Sequence, residues 1–115
     1  MIRFSTNFGP KPKNKNNHSR NICVFANGEI DRSPTGTGVS ARAAVHYARD
    51  EISLDETITI ESIIESTFDV SVIEETKIGS KNAVVPQVVG TANIIGKHTF
   101  WIDPLDEKGQ GFFLR

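Results

Sequence analysis

Asp31-Arg-Ser-Pro-Thr-Gly-Thr-Gly-Val-Ser-Ala41 is a polar turn that leads directly into a helical pattern. Pro34 lies in the turn, and Gly36 and Gly38 stand where the helix begins. Because glycine has no Cβ, backbone N–H groups can converge here, and the helix adds the positive end of its dipole. Such an entry binds an anion, either a phosphate or a carboxylate. The same residues also fit an ordinary glycine-rich helix start with Thr35 or Thr37 as the N-cap.

One familiar motif can be excluded at this position. Gly36-Thr-Gly-Val-Ser-Ala41 formally fits the glycine fingerprint of dinucleotide-binding folds, and Asp55 and Glu56 stand near the expected downstream acid. That fingerprint needs a buried strand before its first glycine, whereas residues 31–35 form a polar turn. The helix also lacks the bulky apolar face of a doubly wound sheet layer. We therefore reject a dinucleotide site.

Residues 39–49 have the 3.6-residue spacing of an amphipathic helix. The side chains predicted to share its inner face are small, namely Ala41, Ala44, Val45 and Ala48. Small side chains allow strands to come close to a helix axis. We therefore expect a sheet to enclose this helix, rather than to carry it on an outer face.

The remaining chain favours strands, because isoleucine and valine far outnumber leucine and fit pleated surfaces. Strands are predicted over residues 21–26, 62–75, 83–95, 97–102 and 112–114. A turn at Asn27-Gly28 closes the first of these, and Pro86 and Gly90 bend the third. In the fourth, one face carries His98, Phe100 and Ile102. One helix among several strands indicates an α+β fold.

The composition indicates a small soluble domain. The 115 residues are 37% hydrophobic and carry 13 Lys+Arg against 14 Asp+Glu, a net charge of −1. This balance offers no electrostatic reason to bind nucleic acid or a membrane surface. No run approaches the roughly 20 apolar residues of a membrane span, and the first residues lack a signal-peptide core. We therefore expect a cytoplasmic protein, and its single cysteine excludes an intramolecular disulfide.

Residues 1–20 contain several basic side chains and no acidic one. Basic arms can bind nucleic acid. The stretch Lys11-Pro-Lys-Asn-Lys-Asn-Asn17, however, is polar and has no aromatic side chains, which is typical of a solvated connector. We predict a connector or truncated interlobe segment over residues 1–20 and a folded lobe over residues 21–115.

A longer stretch carries a family resemblance: Asn21-Ile-Cys-Val-Phe-Ala-Asn-Gly-Glu-Ile-Asp-Arg-Ser-Pro-Thr-Gly-Thr-Gly-Val-Ser-Ala-Arg42. It closely resembles the second half of the proline racemase family, which includes 4-hydroxyproline epimerases and trans-3-hydroxy-L-proline dehydratases. Gly96-Lys-His-Thr-Phe-Trp-Ile-Asp-Pro104 and Gly109-Gln-Gly-Phe-Phe112 resemble the family's C-terminal segment. The resemblance implies one lobe of the diaminopimelate-epimerase-like fold, a curled, mostly antiparallel sheet around a central helix. It implies proline or hydroxyproline as substrate and no cofactor.

The resemblance also implies the reaction. Each lobe of such an enzyme delivers one acid/base residue to the substrate α-carbon, and racemases and epimerases use a cysteine in both lobes. The second cysteine position falls on Thr35, whose hydroxyl is too weak an acid to exchange an α-proton near neutral pH. Two-base racemisation should therefore be lost. Threonine at this position resembles the dehydratases, in which the other lobe's cysteine removes the α-proton and the C3 hydroxyl leaves.

Four further residues receive substrate-binding roles from the resemblance. The backbone N–H groups of Gly36 and Thr37 would hold the substrate carboxylate and stabilise the charge that builds on it. Asp31 would accept a hydrogen bond from the ring ammonium, and Phe25 would pack against the apolar substrate ring. Without the resemblance, Asp31 is a turn residue and Phe25 a strand core residue.

The other reactive side chains are predicted to be structural. Cys23 lies in an apolar run and should pack in the core. His18, His46 and His98 show no metal-ligand spacing, so we expect no metal site. We place His46 on the helix surface and His98 in a strand near the end of the sheet.

Members of this family are far longer than 115 residues, and their first half, with a Met-Cys-Gly-His motif, has no counterpart here. We expect this chain to need the missing N-terminal lobe or a second copy of itself, and to lack racemase and dehydratase activity alone. The alternatives are a racemase or epimerase relative, and a non-catalytic module that forms a homodimer.

Overall fold

The computed structural model describes residues 11–113. Its elements, in chain order, are β1 (Ser19–Arg20), α1 (Gly36–Ala48), β2 (Ile58–Glu61), β3 (Thr67–Ile78) and β4 (Lys81–Val89). The strands form one sheet in the order β1-β2-β3-β4. β1 runs parallel to β2, and the other two pairings are antiparallel. The predicted α+β class is confirmed.

The long hairpin of β3 and β4 is the largest part of the sheet. Gly79 and Ser80 connect the strands, and Gly79 has a φ of 62°. A glycine with positive φ at the first position of a two-residue turn matches the twist of the strands. Pro86 pairs with Val72 inside β4, which is the edge strand of the described sheet. Proline is tolerated at an edge, because the N–H that it lacks can face away from the ladder.

The hydrophobic core lies between α1 and the sheet. Its buried members are Val39, Ala43, Ile52, Ile58, Ile60, Val70 and Val72. On the helix, Val39, Ala43 and the partly buried Tyr47 are four residues apart and therefore lie on one stripe. Burying a valine or isoleucine side chain contributes roughly 1.5–3 kcal/mol. This stripe therefore anchors α1 on β3 and β4, both of which the helix contacts.

The predicted helix is confirmed, but its predicted inner face is wrong. The helix begins at Gly36 rather than at residue 39 and ends at Ala48. Ala41 is exposed and Val45 is 46% exposed. Val39 and Tyr47 offer more apolar surface than the alanines, and turning them to the sheet places Ala41 on the far side. Among the described residues, the sheet covers one side of the helix.

The strand predicted over residues 21–26 is wrong. Only Val24 pairs there, in an isolated antiparallel bridge with Ile30. The predicted turn at Asn27-Gly28 is confirmed, since the Gly28 N–H donates to the Phe25 carbonyl at 2.9 Å and Gly28 has a φ of 88°. The parallel pairing of β1 with β2 ends at Arg20, and the Asn21 N–H adds one hydrogen bond to the Glu61 carbonyl.

The segment after β4, residues 90–113, contains no helix or strand. A Cβ on Gly90 would lie 2.5 Å from the Phe68 ring, which lies over the backbone where the chain leaves the sheet. The strand predicted over 83–95 therefore ends at Val89. The strands predicted over 97–102 and at 112–113 are wrong, because a strand needs a partner and no described residue pairs with them. Residue 114, the end of the last predicted strand, lies outside the described residues.

Part of the predicted connector is bound to the sheet. The buried Glu61 carboxylate accepts hydrogen bonds from the backbone N–H groups of Lys13 and Asn14, both at 2.9 Å, and from Asn17 Nδ2 at 2.8 Å. The Asn14 N–H contributes most to holding the pKa of Glu61 below its usual value, against the opposing effect of burial. Arg20 Nε lies 3.5 Å from the same carboxylate. Residues 1–10 lie outside the described part, and the lobe boundary at residue 21 remains a prediction.

Candidate functional site

The site loop, residues 31–35, precedes α1 and is organised by Asp31. One carboxylate oxygen of Asp31 accepts the Ser33 N–H at 2.8 Å, and the other accepts the Thr35 hydroxyl at 3.0 Å. The Ser33 hydroxyl in turn accepts the Thr35 N–H at 3.1 Å. Aspartate commonly binds the backbone two residues ahead in this way. The structure therefore brings two predicted site residues, Asp31 and Thr35, into direct contact.

The hydrogen bonds of the loop set the charge of Asp31. Partial burial alone would raise the pKa of this carboxyl. The Ser33 N–H and hydroxyl and the Thr35 hydroxyl outweigh burial, so the pKa of Asp31 lies below its ordinary value. An ionised carboxylate only accepts hydrogen bonds. At neutral pH the proton between Asp31 and Thr35 is therefore the one on the threonine hydroxyl.

Thr35 has an unusual backbone conformation, with φ 69° and ψ 108°. Positive φ is rare for a β-branched residue, and such strain occurs where surrounding contacts enforce it. Thr35 occupies the N-cap position of α1, yet its side chain makes no capping hydrogen bond, because the hydroxyl is donated to Asp31. Of the two N-cap candidates, Thr35 therefore takes the position, but without the side-chain capping bond.

The first turn of α1 is open to an anion. The opening N–H groups of a helix have no intrahelical acceptors, and no acidic residue stands in this first turn. A Cβ built on Gly36 would meet no atom within 4 Å, and Thr37 is exposed. The predicted carboxylate-binding residues Gly36 and Thr37 thus present accessible backbone beside the Thr35–Asp31 pair.

Phe25 belongs to the neighbouring turn and not to this hydrogen-bonded group. Its N–H donates to the Glu29 carbonyl at 2.8 Å, and its side chain is 39% exposed. Its segment joins the site loop through the Asp31 N–H, which donates to the Cys23 carbonyl at 3.1 Å. The alternative interpretation of Phe25 as a strand core residue is wrong, because residues 25–29 turn back before a strand can form. Its role against the substrate ring remains a prediction.

Two residues of the site escaped the sequence-based prediction. Ser33 was given no role by the sequence-based prediction, yet its N–H donates to Asp31 and its hydroxyl accepts the Thr35 N–H. Asn21 was included in a strand, yet its buried side chain donates from Nδ2 to the Pro34 carbonyl at 2.7 Å. The signal for Asn21 was available in the sequence, since it is a polar residue beside the apolar run Ile22-Cys23-Val24.

The other reactive side chains lie outside this group. Cys23 is buried, as predicted, and is free. His46 Nδ1 contacts the Glu51 carboxylate, and its ring meets that of His18 edge-on at 4.8 Å. Within residues 11–113, no three His, Cys, Asp or Glu side chains are arranged to hold a metal ion. No helix in the described part of the chain is long and apolar enough to cross a membrane.

A cavity of about 630 Å³ lies at the opposite end of α1, between the helix and the β3–β4 hairpin. Ala44, Ala48, Ala83 and Val84 form its apolar wall. Tyr47 also lines the cavity, and its hydroxyl donates to Glu75 Oε1 at 2.7 Å. This cavity shares no lining residue with the site loop.

Comparison with known proteins identifies the family. Residues 2–113 match the family described as proline racemase. A trans-3-hydroxy-L-proline dehydratase of Colwellia psychrerythraea is 51% identical over 102 residues, which are 89% of this chain and 29% of the relative. A proline racemase of Acetoanaerobium sticklandii is 40% identical over 102 residues, 89% of this chain and 30% of the relative. The chain thus spans about 30% of the length of the curated relatives it matches.

Solved structures agree with this assignment. A hydroxyproline epimerase from Agrobacterium vitis, with bound trans-4-OH-L-proline, superposes with a TM-score of 0.67 at 35% identity. The superposition covers 83% of this chain and 27% of the epimerase. The predicted resemblance and the predicted fold are both confirmed. The chain belongs to the proline racemase family.

Proposed function

We propose that this chain is the C-terminal lobe of a trans-3-hydroxy-L-proline dehydratase. One observation carries the proposal: the residue at the family's second cysteine position is Thr35, and its hydroxyl is donated to Asp31. The name of the 51%-identical Colwellia relative supports the same assignment. The racemase or epimerase alternative would need an α-carbon base at position 35.

Thr35 is unsuited to be that base. A threonine hydroxyl loses its proton only to a strong base, and the neighbouring carboxylate is a weak one, because the pKa of Asp31 lies below its ordinary value. A cysteine thiol, with an ordinary pKa of about 8.5, would supply a thiolate far more readily. A substrate α-proton facing Thr35 would therefore not exchange.

Elimination needs only one base at the α-carbon. A cysteine thiolate of the first lobe takes the α-proton, and the electron pair of that bond expels the C3 oxygen, which leaves as water once it has gained a proton. The resulting enamine tautomerises to 1-pyrroline-2-carboxylate. No electrons pass to or from another molecule, so the chemistry needs no redox cofactor.

The site loop and the start of α1 would bind the substrate. The N–H groups of Gly36 and Thr37 hold the carboxylate and stabilise the negative charge that builds as the α-proton leaves. Asp31 remains ionised and accepts a hydrogen bond from the ring ammonium on a free lone pair. The Thr35 hydroxyl uses its hydrogen in the bond to Asp31, so its oxygen can only accept a hydrogen bond from the substrate. Phe25 covers the apolar ring.

The partner of this lobe is a first lobe that carries the α-carbon base, or a second copy of the chain. Large apolar side chains of residues 90–113, Trp101 and Phe113 among them, are almost wholly exposed and favour such a partner. We place the enzyme in the cytoplasm, in agreement with the composition. A homodimer without catalysis is the remaining alternative.

The test compares the chain alone with the chain joined to the first lobe of the Colwellia relative. We expect the joined protein to form 1-pyrroline-2-carboxylate from trans-3-hydroxy-L-proline, and the chain alone to form none. Product formation by the purified chain alone would show that the first lobe is not required. A joined protein that folds but converts no substrate would refute the assignment as a dehydratase.

A further inference from the structure

We infer that Asn21 is a positioning residue, which fixes the peptide bond between Pro34 and Thr35 and thereby the conformation of the site loop. Asn21 is 4% exposed, and its Nδ2 donates to the Pro34 carbonyl at 2.7 Å. Its own backbone N–H donates to the Glu61 carbonyl at 2.8 Å. Asn21 thus ties the end of β2 to the site loop.

The peptide bond between Pro34 and Thr35 is held at both ends. Asn21 binds its carbonyl oxygen, and the Ser33 hydroxyl accepts its N–H at 3.1 Å. Asp31 then holds the side chain of Thr35. A positive φ at a β-branched residue persists only where contacts enforce it, and the φ of Thr35 is 69°. Of the three contacts, only the one from Asn21 comes from outside the loop.

The same side chain explains a glycine in the first turn of α1. A Cβ on Gly38 would lie 3.1 Å from Asn21 Nδ2, a tight approach that would push the asparagine amide aside by a few tenths of an ångström. A Cβ on Gly36 would meet no atom within 4 Å. Asn21 and Gly38 therefore form a matched pair, whereas Gly36 is free of this constraint.

The pair sets the direction of the Thr35 side chain and of the N–H groups that follow it. The meaning of this arrangement for catalysis rests on the proposed function. The contacts themselves do not, so the test uses no substrate. It uses nuclear magnetic resonance on the chain as it exists.

The first variant is Asn21→Ala, with Asn82→Ala on the exposed part of β4 as its control. We expect Asn21→Ala to abolish the strong intraresidue contact between the amide and Hα protons of Thr35 that marks a positive φ. Amide exchange at Thr35 should accelerate about tenfold, as for the loss of one buried hydrogen bond. A merely stabilising residue would leave that proton contact in place and change exchange at Thr35 and Ala43 alike.

The second comparison tests the contact between Asn21 and α1 by substituting glycines of the helix. Gly38→Ala should shift the side-chain amide signals of Asn21, and Gly36→Ala should leave them unchanged. If Asn21→Ala fails to fold, this comparison still tests the contact between Asn21 and the first turn of α1. The inference is overturned if Thr35 keeps the strong intraresidue proton contact of a positive φ in Asn21→Ala. It is also overturned if neither glycine variant shifts the side-chain amide signals of Asn21. A joined enzyme without dehydratase activity would refute the proposed function and leave these results standing.

Discussion

At the scale of single residues, the contact between Thr35 and Asp31 carries most of the chemistry. A hydroxyl that donates to an ionised carboxylate has no proton to give to a substrate and little tendency to lose the one it has. The pair therefore offers two acceptors, which suit a ring ammonium, beside N–H groups that suit a carboxylate. This division matches the two charged ends of a proline derivative.

Replacing Thr35 tests its chemistry. In the protein joined to a first lobe, Thr35→Cys should admit epimerisation with α-proton exchange, because a thiol is acidic enough to exchange a proton near neutral pH. Thr35→Ser keeps a hydroxyl beside Asp31 and should show neither epimerisation nor α-proton exchange. Chiral chromatography of substrate incubated in D₂O measures both. Loss of dehydration in Thr35→Cys, with no exchange gained, would contradict this role for position 35.

Asp31 should stabilise the lobe in a pH-dependent manner. Its folded pKa lies below the unfolded value of about 3.9, so its contribution is fully present above that pH and is lost as pH falls through the lower folded pKa. Asp31→Ala should lower the free energy of unfolding at pH 7 by about 1 kcal/mol, with a smaller loss in acid. Urea unfolding at several pH values measures this, with the exposed Glu29→Ala as control. An equal loss at every pH would exclude the ionised form as the cause.

At the scale of elements, the helix and the central parts of β3 and β4 were predictable because their signals are local. β2 (Ile58–Glu61) was not predicted, and the strand predicted over residues 62–75 starts five residues before β3. The glycine-rich entry, the 3.6-residue spacing and the β-branched runs each predict an element on their own. The buried face of α1 was not predictable, because it depends on which side chains the sheet can accommodate. The strand predicted from the alternation of His98, Phe100 and Ile102 was wrong for a related reason. A strand forms only with a partner, and local alternation does not show whether a partner exists.

The site was predictable only to the extent that its residues are neighbours in the motif. The resemblance places Asp31, Thr35, Gly36 and Thr37 together, and the structure brings them to one loop and helix start. The apolar run beside Asn21 signals that this residue is buried, but its partner was out of reach, because the contact to Pro34 depends on how β2 positions the segment before the loop. Contacts between segments are set by the fold and not by local sequence.

The contact between His18, which precedes β1, and His46 on α1 should respond to pH. Burial lowers the pKa of His18, and the charges of His46 and Arg42 lower it further, while Glu51 and Glu56 oppose them. A His with a lowered folded pKa resists protonation in the fold. Stability should therefore be full above the unfolded pKa of about 6.5 and decline as pH falls below it.

His18→Asn removes this titration and should reduce the loss of stability between pH 7.5 and 5.5. Urea unfolding at both pH values measures the effect. His98→Asn, on the exposed segment after β4, is the matched control and should leave the pH dependence unchanged. An identical pH dependence in His18→Asn and the wild-type chain would contradict the assignment.

At the scale of the whole molecule, the described chain is extended. Its radius of gyration is 18.3 Å, whereas a compact domain of about 100 residues has roughly 13 Å. The segment after β4 accounts for this, since it leaves the sheet at Gly90 and exposes Phe100 and Trp101 at 85% and 91%. Clustered exposed apolar side chains usually mark an interaction surface.

This surface should make the isolated chain associate with itself. We expect sedimentation velocity to show species larger than a monomer as concentration rises, and Phe100→Ser with Trp101→Ser to shift them back toward the monomer. Ile78→Ser removes an exposed apolar side chain at the tip of the hairpin and should have a smaller effect. A strict monomer at all concentrations would argue against the homodimer and leave the first lobe as the partner.

The most direct test of the central claim is made on the chain joined to a first lobe. That protein is incubated with trans-3-hydroxy-L-proline and, separately, with L-proline in D₂O, and the products are separated by chiral chromatography. The one-base site predicts 1-pyrroline-2-carboxylate from the first substrate and no D-proline from the second. Formation of D-proline with Thr35 in place would contradict the account.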